Sequence, residues 1–135
     1  MKPLPPTTVR IEKLRRATDH RGFVFEPLDD PQFAAQRNAH VVITYPGEIR
    51  GNHFHTVGTE ITSVNGPTRV CVKERDALVT HDIPEGETWR FTFPPHVTHA
   101  FLNTGDRASV IVSFNTEPHD PQQPDVTRDV ILERV

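Results

Sequence analysis

The chain is poor in the residues that dominate helical and disulfide-bonded proteins. Among its 135 residues there is one cysteine, one methionine, one tryptophan and one tyrosine, and aromatic residues make up 7%. The lone Cys71 cannot form an intramolecular disulfide, and it leaves nitrogen and oxygen rather than sulfur to ligate any metal. No apolar run exceeds four residues, against the ~20 that a membrane-spanning helix needs. The opening Met1-Lys2-Pro3-Leu4-Pro5-Pro6 lacks the apolar segment that directs secretion. A cytoplasmic protein with no membrane partner is therefore expected. Basic charge is also in short supply, with 15 Lys+Arg against 18 Asp+Glu and a net charge of −3. That excludes the strongly basic footprint on which nucleic-acid binding depends.

What is abundant is strand and turn chemistry. Val and Thr together supply 30 residues and Pro another 13; β-branched side chains suit a pleated sheet and proline punctuates it. Short apolar segments recur at the spacing of an all-β sandwich or barrel. Strands are predicted at 9–14, 22–25, 39–45, 51–55, 60–65, 68–74, 77–83, 88–93, 100–103 and 108–114. The breaks carry turn residues such as Pro46-Gly47, Asn65-Gly66-Pro67 and Pro84-Glu85-Gly86. One short helix is possible at 31–37. Residues 117–125 hold three prolines and read as an irregular surface segment, and 126–135 could be helix or strand. A single all-β domain over 1–135 results, with a barrel at about 9–115 and a Pro-rich tail at 116–135.

The eight histidines are the informative excess. His53 and His55 alternate along a strand with Phe54, so both imidazoles face one side. The Val57-Gly58-Thr59 turn then lets Glu60 begin the next strand beside them. Random placement of eight histidines gives about 0.5 His-x-His pairs, so the pair alone says nothing. Requiring Gly47 six residues before it and a glutamate four or five after it lowers the expectation to about 0.003. A second cassette, Pro94-Pro95-His96-Val97-Thr98-His99, offers a fourth ligand. Three nitrogens and a carboxylate suit one divalent ion: Zn, Fe, Mn, Ni or Co.

Gly47-x5-His53-x-His55-x4-Glu60-x5-Gly66 resembles the first cupin motif, one residue short before the final glycine. Gly86-x7-Pro94-Pro95-His96-x2-His99-x3-Asn103 resembles the second, with two extra residues before Pro94 and His96 in place of the usual glycine. The resemblance implies a double-stranded β-helix (a cupin jelly roll) with His53, His55, Glu60 and His99 holding one metal inside it. Asp19-His20-Arg21-Gly22, Arg50-Gly51-Asn52-His53-Phe54-His55 and the tail Asn115–Asp125 are similar to the cupin domain of capsular-polysaccharide enzymes that epimerise a 4-keto sugar nucleotide. In those enzymes the cupin is fused to a reductase domain that has no counterpart in this sequence.

The resemblance implies a nucleotide-linked sugar as the small-molecule substrate, epimerisation or isomerisation as the reaction, and a homodimer. Alternatives are an Fe-dependent dioxygenase using the same three histidines and glutamate, and a cupin that binds a sugar without turnover. In metal-free sugar epimerases of the superfamily the histidine matching His53 is itself the base. An imidazole whose lone pair holds a metal cannot also abstract a proton, so with metal bound the acid/base candidates are His96, His40 and Tyr45. Arg50, just outside the ligand strand, is the candidate for holding a phosphate or carboxylate. Trp89, Phe91 and Phe93 share one strand face and read as core, or as a sugar-stacking wall. His20, His81 and His119, at turns or strand ends, read as solvated.

Overall fold

The computed structural model describes residues 8–134. Its strands are β1 (Arg10–Leu14), β2 (Ala17–Asp19), β3 (Gly22–Val24), β4 (Asn38–Thr44), β5 (Ile49–His55), β6 (Glu60–Asn65), β7 (Thr68–Glu74), β8 (Ala77–Ile83), β9 (Thr88–Phe93), β10 (His99–Asn103), β11 (Ser109–Asn115) and β12 (Val126–Arg128), with one short helix α1 (Asp30–Phe33). Two five-stranded sheets face each other, in the orders β1-β9-β6-β11-β4 and β12-β5-β10-β7-β8, and the strand pairs within them are antiparallel. From β4 to β7 the chain crosses from one sheet to the other at each step, and β9 to β11 do the same. This is the jelly roll of the cupin fold.

Alternation builds the interior. Val64 and Ile111 point inward from one sheet with Phe91 and Phe93; Val70, Val72, Ile83 and Phe101 meet them from the other. The aromatic face of β9 is therefore core rather than a sugar wall: Phe91 and Phe93 are fully buried and stack with centroids 5.7 Å apart. The opposite face of β9 carries Arg90, buried but satisfied by Glu12 at 2.8 Å and Asp29 at 3.0 Å. At the start of α1 the Asp29 N–H donates to Gln32 Oε1 at 2.6 Å, and the helix runs for one turn to Phe33 rather than to the expected Arg37.

One strand, β2, was not expected from sequence, and the open choice between helix and strand at 126–135 falls to strand at its start. β2 pairs only with β3 in an exposed hairpin. β12 pairs with β5 in the register Val126↔His55, Thr127↔Phe54, Arg128↔His53, so the tail closes the edge of the second sheet. Beyond β12 the chain has no regular structure but is anchored. Asn52 accepts from the backbone N–H groups of Ile131 and Leu132 and donates to the Leu132 carbonyl, and Thr98 donates to Asp129 at 2.6 Å. Among the described residues no helix is long and apolar enough to cross a membrane.

Candidate metal centre and pocket

Local backbone choices aim the site. β5 pairs His53 with His99 and Gly51 with Ala100, so Asn52 is an extra residue and the strand bulges there. Gly51 and Asn52 both take left-handed φ, 86° and 58°. A Cβ on Gly51 would lie 2.7 Å from the His99 carbonyl oxygen, so only glycine fits where the bulge brings β5 onto β10. His96, where the motif usually has glycine, has φ 67°, the conformation glycine adopts freely and histidine at some cost. Its N–H donates to the His55 carbonyl at 2.7 Å and so ties the second cassette to the ligand strand.

The structure brings His53, His55, Glu60 and His99 together, with one donor atom from each lying within 4.8 Å of all the others. A tetrahedral ion with bonds of 2.0–2.2 Å spaces its ligands about 3.4 Å apart, so small rotamer shifts would close the shell. Glu60 is buried and bridges two imidazoles: Oε1 lies 3.1 Å from His55 Nε2 and Oε2 3.0 Å from His99 Nε2. The His99 ring is fully buried and stacks on Phe93 at 4.0 Å. Its Nδ1–H donates to the Val97 carbonyl at 3.1 Å, which places the lone pair on Nε2. That Nε2, although 3.0 Å from Glu60 Oε2, makes no hydrogen bond. An orphaned, buried lone pair beside a carboxylate is the arrangement a cation relieves, and the donor set fits a divalent ion.

The electrostatics agree. Burial pushes the Glu60 carboxyl up, but the His99 and His55 imidazoles outweigh it and hold the group well below the usual carboxylate range. Burial pulls His55 down, yet its hydrogen bond to Glu60 and the charges of Glu60 and Asp125 leave its pKa raised above 6.5. His53 has no such partner. Burial, reinforced by His99, lowers it to about 4, so it is neutral at pH 7.

A pH effect follows in the metal-free protein. Above pH 6.5 His53 is neutral whether folded or unfolded. Between 6.5 and about 4 only the unfolded chain takes up this proton, so the His53 contribution lowers stability progressively as pH falls through that window. His53→Asn is expected to flatten the slope, measured by urea unfolding in chelator at about pH 5 and about pH 7. An unchanged slope would contradict the assignment.

The cluster opens into a cavity of about 410 Å³ lined by Asn38, His40, His53, His55, Glu60 and Asn115, and by Glu117, Pro118, His119, Asp120, Asp125 and Val126 from the tail. Of the acid/base candidates, His40 is in this lining. Its Nδ1–H donates to Asn38 Oδ1 at 2.9 Å, leaving Nε2 with the lone pair. Tyr45 follows β4 at 69% exposure, and His96 packs against Phe54 with centroids 5.8 Å apart; neither lines the cavity. Arg50 is exposed and extends to the Ile43 carbonyl on β4 at 3.2 Å. His81 is half-buried against Phe91 rather than solvated.

Sequence reasoning missed the tail's part in the site. His119 is exposed, as its turn position suggested, and it also lines the cavity. Asp125 accepts from the N–H groups of Thr56, Val57 and Gly58, at 3.1, 2.9 and 2.7 Å, and its Oδ2 lies 3.7 Å from His55 Nδ1. Gly58 is required there because a Cβ would collide with Asn115 and Asp125. The available signal was the Val57-Gly58-Thr59 turn, whose unpaired N–H groups need an acceptor.

A jelly roll with three histidines and a glutamate at the head of a cavity defines a cupin with a candidate metal centre. The chain belongs to the polysaccharide biosynthesis C-terminal domain family, whose pattern matches residues 17–127. It is 25% identical over 130 residues to the spore coat polysaccharide biosynthesis protein SpsL of Bacillus subtilis (strain 168), covering 89% of this chain and 86% of that one. The capsular polysaccharide assembling protein CapF of Staphylococcus aureus superposes with a TM-score of 0.65 at 25% identity, over 87% of this chain. This chain spans only 33% of CapF. A dTDP sugar isomerase from Desulfovibrio desulfuricans G20 shares the fold, with a TM-score of 0.71 at 21% identity, over 96% of this chain and 88% of that one.

Proposed function

We propose that this protein is a metal-containing epimerase or isomerase of a 4-keto sugar nucleotide in polysaccharide biosynthesis. The observation that carries the reading is the His53–His55–Glu60–His99 cluster at the inner end of a cavity large enough for a sugar ring, in a chain of a polysaccharide-biosynthesis family. SpsL and CapF support a place in polysaccharide biosynthesis, and the dTDP sugar isomerase supports the substrate class.

The four clustered side chains would hold one divalent ion: Zn, Fe, Mn, Ni or Co. When bound, such an ion supplies Lewis acidity to a carbonyl oxygen. The rest falls to the chain's own residues. The hydrogen on a carbon next to a 4-keto group is acidic because the electron pair it leaves behind delocalises onto oxygen. His40, with Nδ1–H committed to Asn38, presents Nε2 as the base that takes this proton. Return of a proton to the opposite face of the same carbon inverts it, and His119, carried by a different segment, is the other cavity imidazole outside the metal cluster. Arg50, the phosphate-holding candidate from the sequence, is bonded to the Ile43 carbonyl and does not line the cavity. A second reading has no metal and uses His53 as base, favoured by its neutral state at pH 7.

The test is solvent deuterium incorporation from D2O into 4-keto sugars linked to thymidine or uridine diphosphate. Label is expected on a carbon adjacent to the carbonyl, with His40→Gln slowing it by roughly 100-fold or more. Labelling that survives chelator and His40→Gln but not His53→Asn would support the metal-free reading. Absence of label with either nucleotide counts against both. Oxygen uptake by the Fe-loaded protein would then indicate a dioxygenase, and a ligand-raised melting temperature without turnover a binding module.

A further inference from the structure

The cavity presents a charge problem for the substrate just proposed. Glu60, Glu117, Asp120 and Asp125 line it, and no Lys or Arg is among its described lining residues. Carboxylates and Asn38 suit the hydroxyl groups of a sugar, which donate hydrogen bonds, but they repel a diphosphate. The phosphates of a nucleotide-linked sugar therefore need a cation at the rim.

β12 supplies one. Opposed residues of an antiparallel pair project to the same face of a sheet. Val126 stands opposite His55 and does line the cavity, while Arg128 stands opposite His53. Arg128 thus projects from the cavity-bearing face, one strand closer to the sheet edge than His53. It is exposed, and among the described residues its guanidinium has no ion pair and no hydrogen bond. Several other arginines are committed: Arg90 to Glu12 and Asp29, Arg69 to Asp82, Arg134 to Glu48, and Arg50 to the Ile43 carbonyl. The backbone around Arg128 is fixed by the pairing of β12 with β5 and by the bond from Asp129 N–H to the Asn52 carbonyl at 2.8 Å. That gives an uncommitted, planar donor on a rigid support, the form of cation that grips phosphate with two parallel hydrogen bonds.

We propose that Arg128 binds a phosphate of a nucleoside-diphosphate-linked sugar at the cavity mouth, so that the sugar alone enters the acidic interior. The assignment rests on the sugar-nucleotide reading above and adds the residue that separates the two halves of the ligand. It also gives the tail a function: β12 carries the anion-binding group, and residues 117–125 line the sugar compartment.

Calorimetric titration of the full metal-loaded chain with thymidine diphosphate and uridine diphosphate tests it. Arg128→Ala is expected to weaken binding of whichever nucleotide the wild type takes by about 10-fold or more, with metal content and melting temperature unchanged. The loss should shrink in high salt. Arg128→Lys is expected to recover part of the affinity, since it keeps the charge and loses the planar fork. Equal affinity of wild type and Arg128→Ala would overturn the assignment while leaving the substrate class standing. Failure of the wild type to bind either nucleotide would remove the sugar-nucleotide reading, and the assignment with it.

Discussion

Glu60→Gln is expected to lower affinity for a divalent ion by about 100-fold or more and to suppress turnover in proportion. Glu60 is the only anion in a donor set otherwise made of imidazoles, and it touches two of them, at 3.1 and 3.0 Å. Loss of hydrogen-bonding partners behind ligands alone typically costs 10–100-fold in metal affinity, so loss of a charged ligand should exceed that. The substitution also acts on the metal-free fold. Breaking a buried pair by removing one partner costs ~3–5 kcal/mol, but His55 can shed its proton once Glu60 is neutral, so the loss should fall below that range. Glu60→Asp keeps the charge with a shorter reach and should fall between wild type and Glu60→Gln in metal affinity. Competition titration with a chromophoric chelator measures both, and wild-type affinity in Glu60→Gln would remove Glu60 from the ligand set.

The second large effect is expected from Phe93→Ala, which touches no donor atom. Phe93 is 1% exposed, stacks on Phe91 at 5.7 Å and on the His99 ring at 4.0 Å with an interplanar angle of 10°. Truncating a buried phenylalanine costs ~3–5 kcal/mol, which for a chain of this size lowers the melting temperature by roughly 10–20 °C. The same change frees the His99 ring to tilt, so metal affinity should fall with stability. Phe93→Leu separates the two roles. It restores most of the buried volume but not the flat surface, so the melting temperature should largely recover while metal affinity stays lowered. Recovery of both together would make Phe93 a packing residue only.

The parts of this structure that were legible in the sequence are those fixed by local spacing. His53 and His55 share a face because a strand alternates, and Glu60 follows at a turn's length, so the cluster could be written down before any coordinates. The strands 60–65, 68–74, 77–83 and 88–93 fall where alternation places them. What escaped depends on where the chain travels. β12 has three residues, all exposed, and no hydrophobic pattern; only its pairing with β5 makes it a strand. The same route from β11 to β5 brings His119, Asp120 and Asp125 to the cavity from a segment that reads as irregular surface. Of the acid/base candidates, His96 takes a left-handed φ and packs against Phe54 outside the cavity lining, and Tyr45 lies in the open.

A single divalent ion held by His53, His55, Glu60 and His99 is tested most directly by elemental analysis of protein purified without chelator, beside His99→Ala prepared in parallel. One equivalent of a first-row divalent metal per wild-type chain, lost in His99→Ala, is the expected result. A folded wild type that carries no stoichiometric metal, and takes up none when offered Zn, Fe, Mn, Ni or Co, would contradict the metal centre.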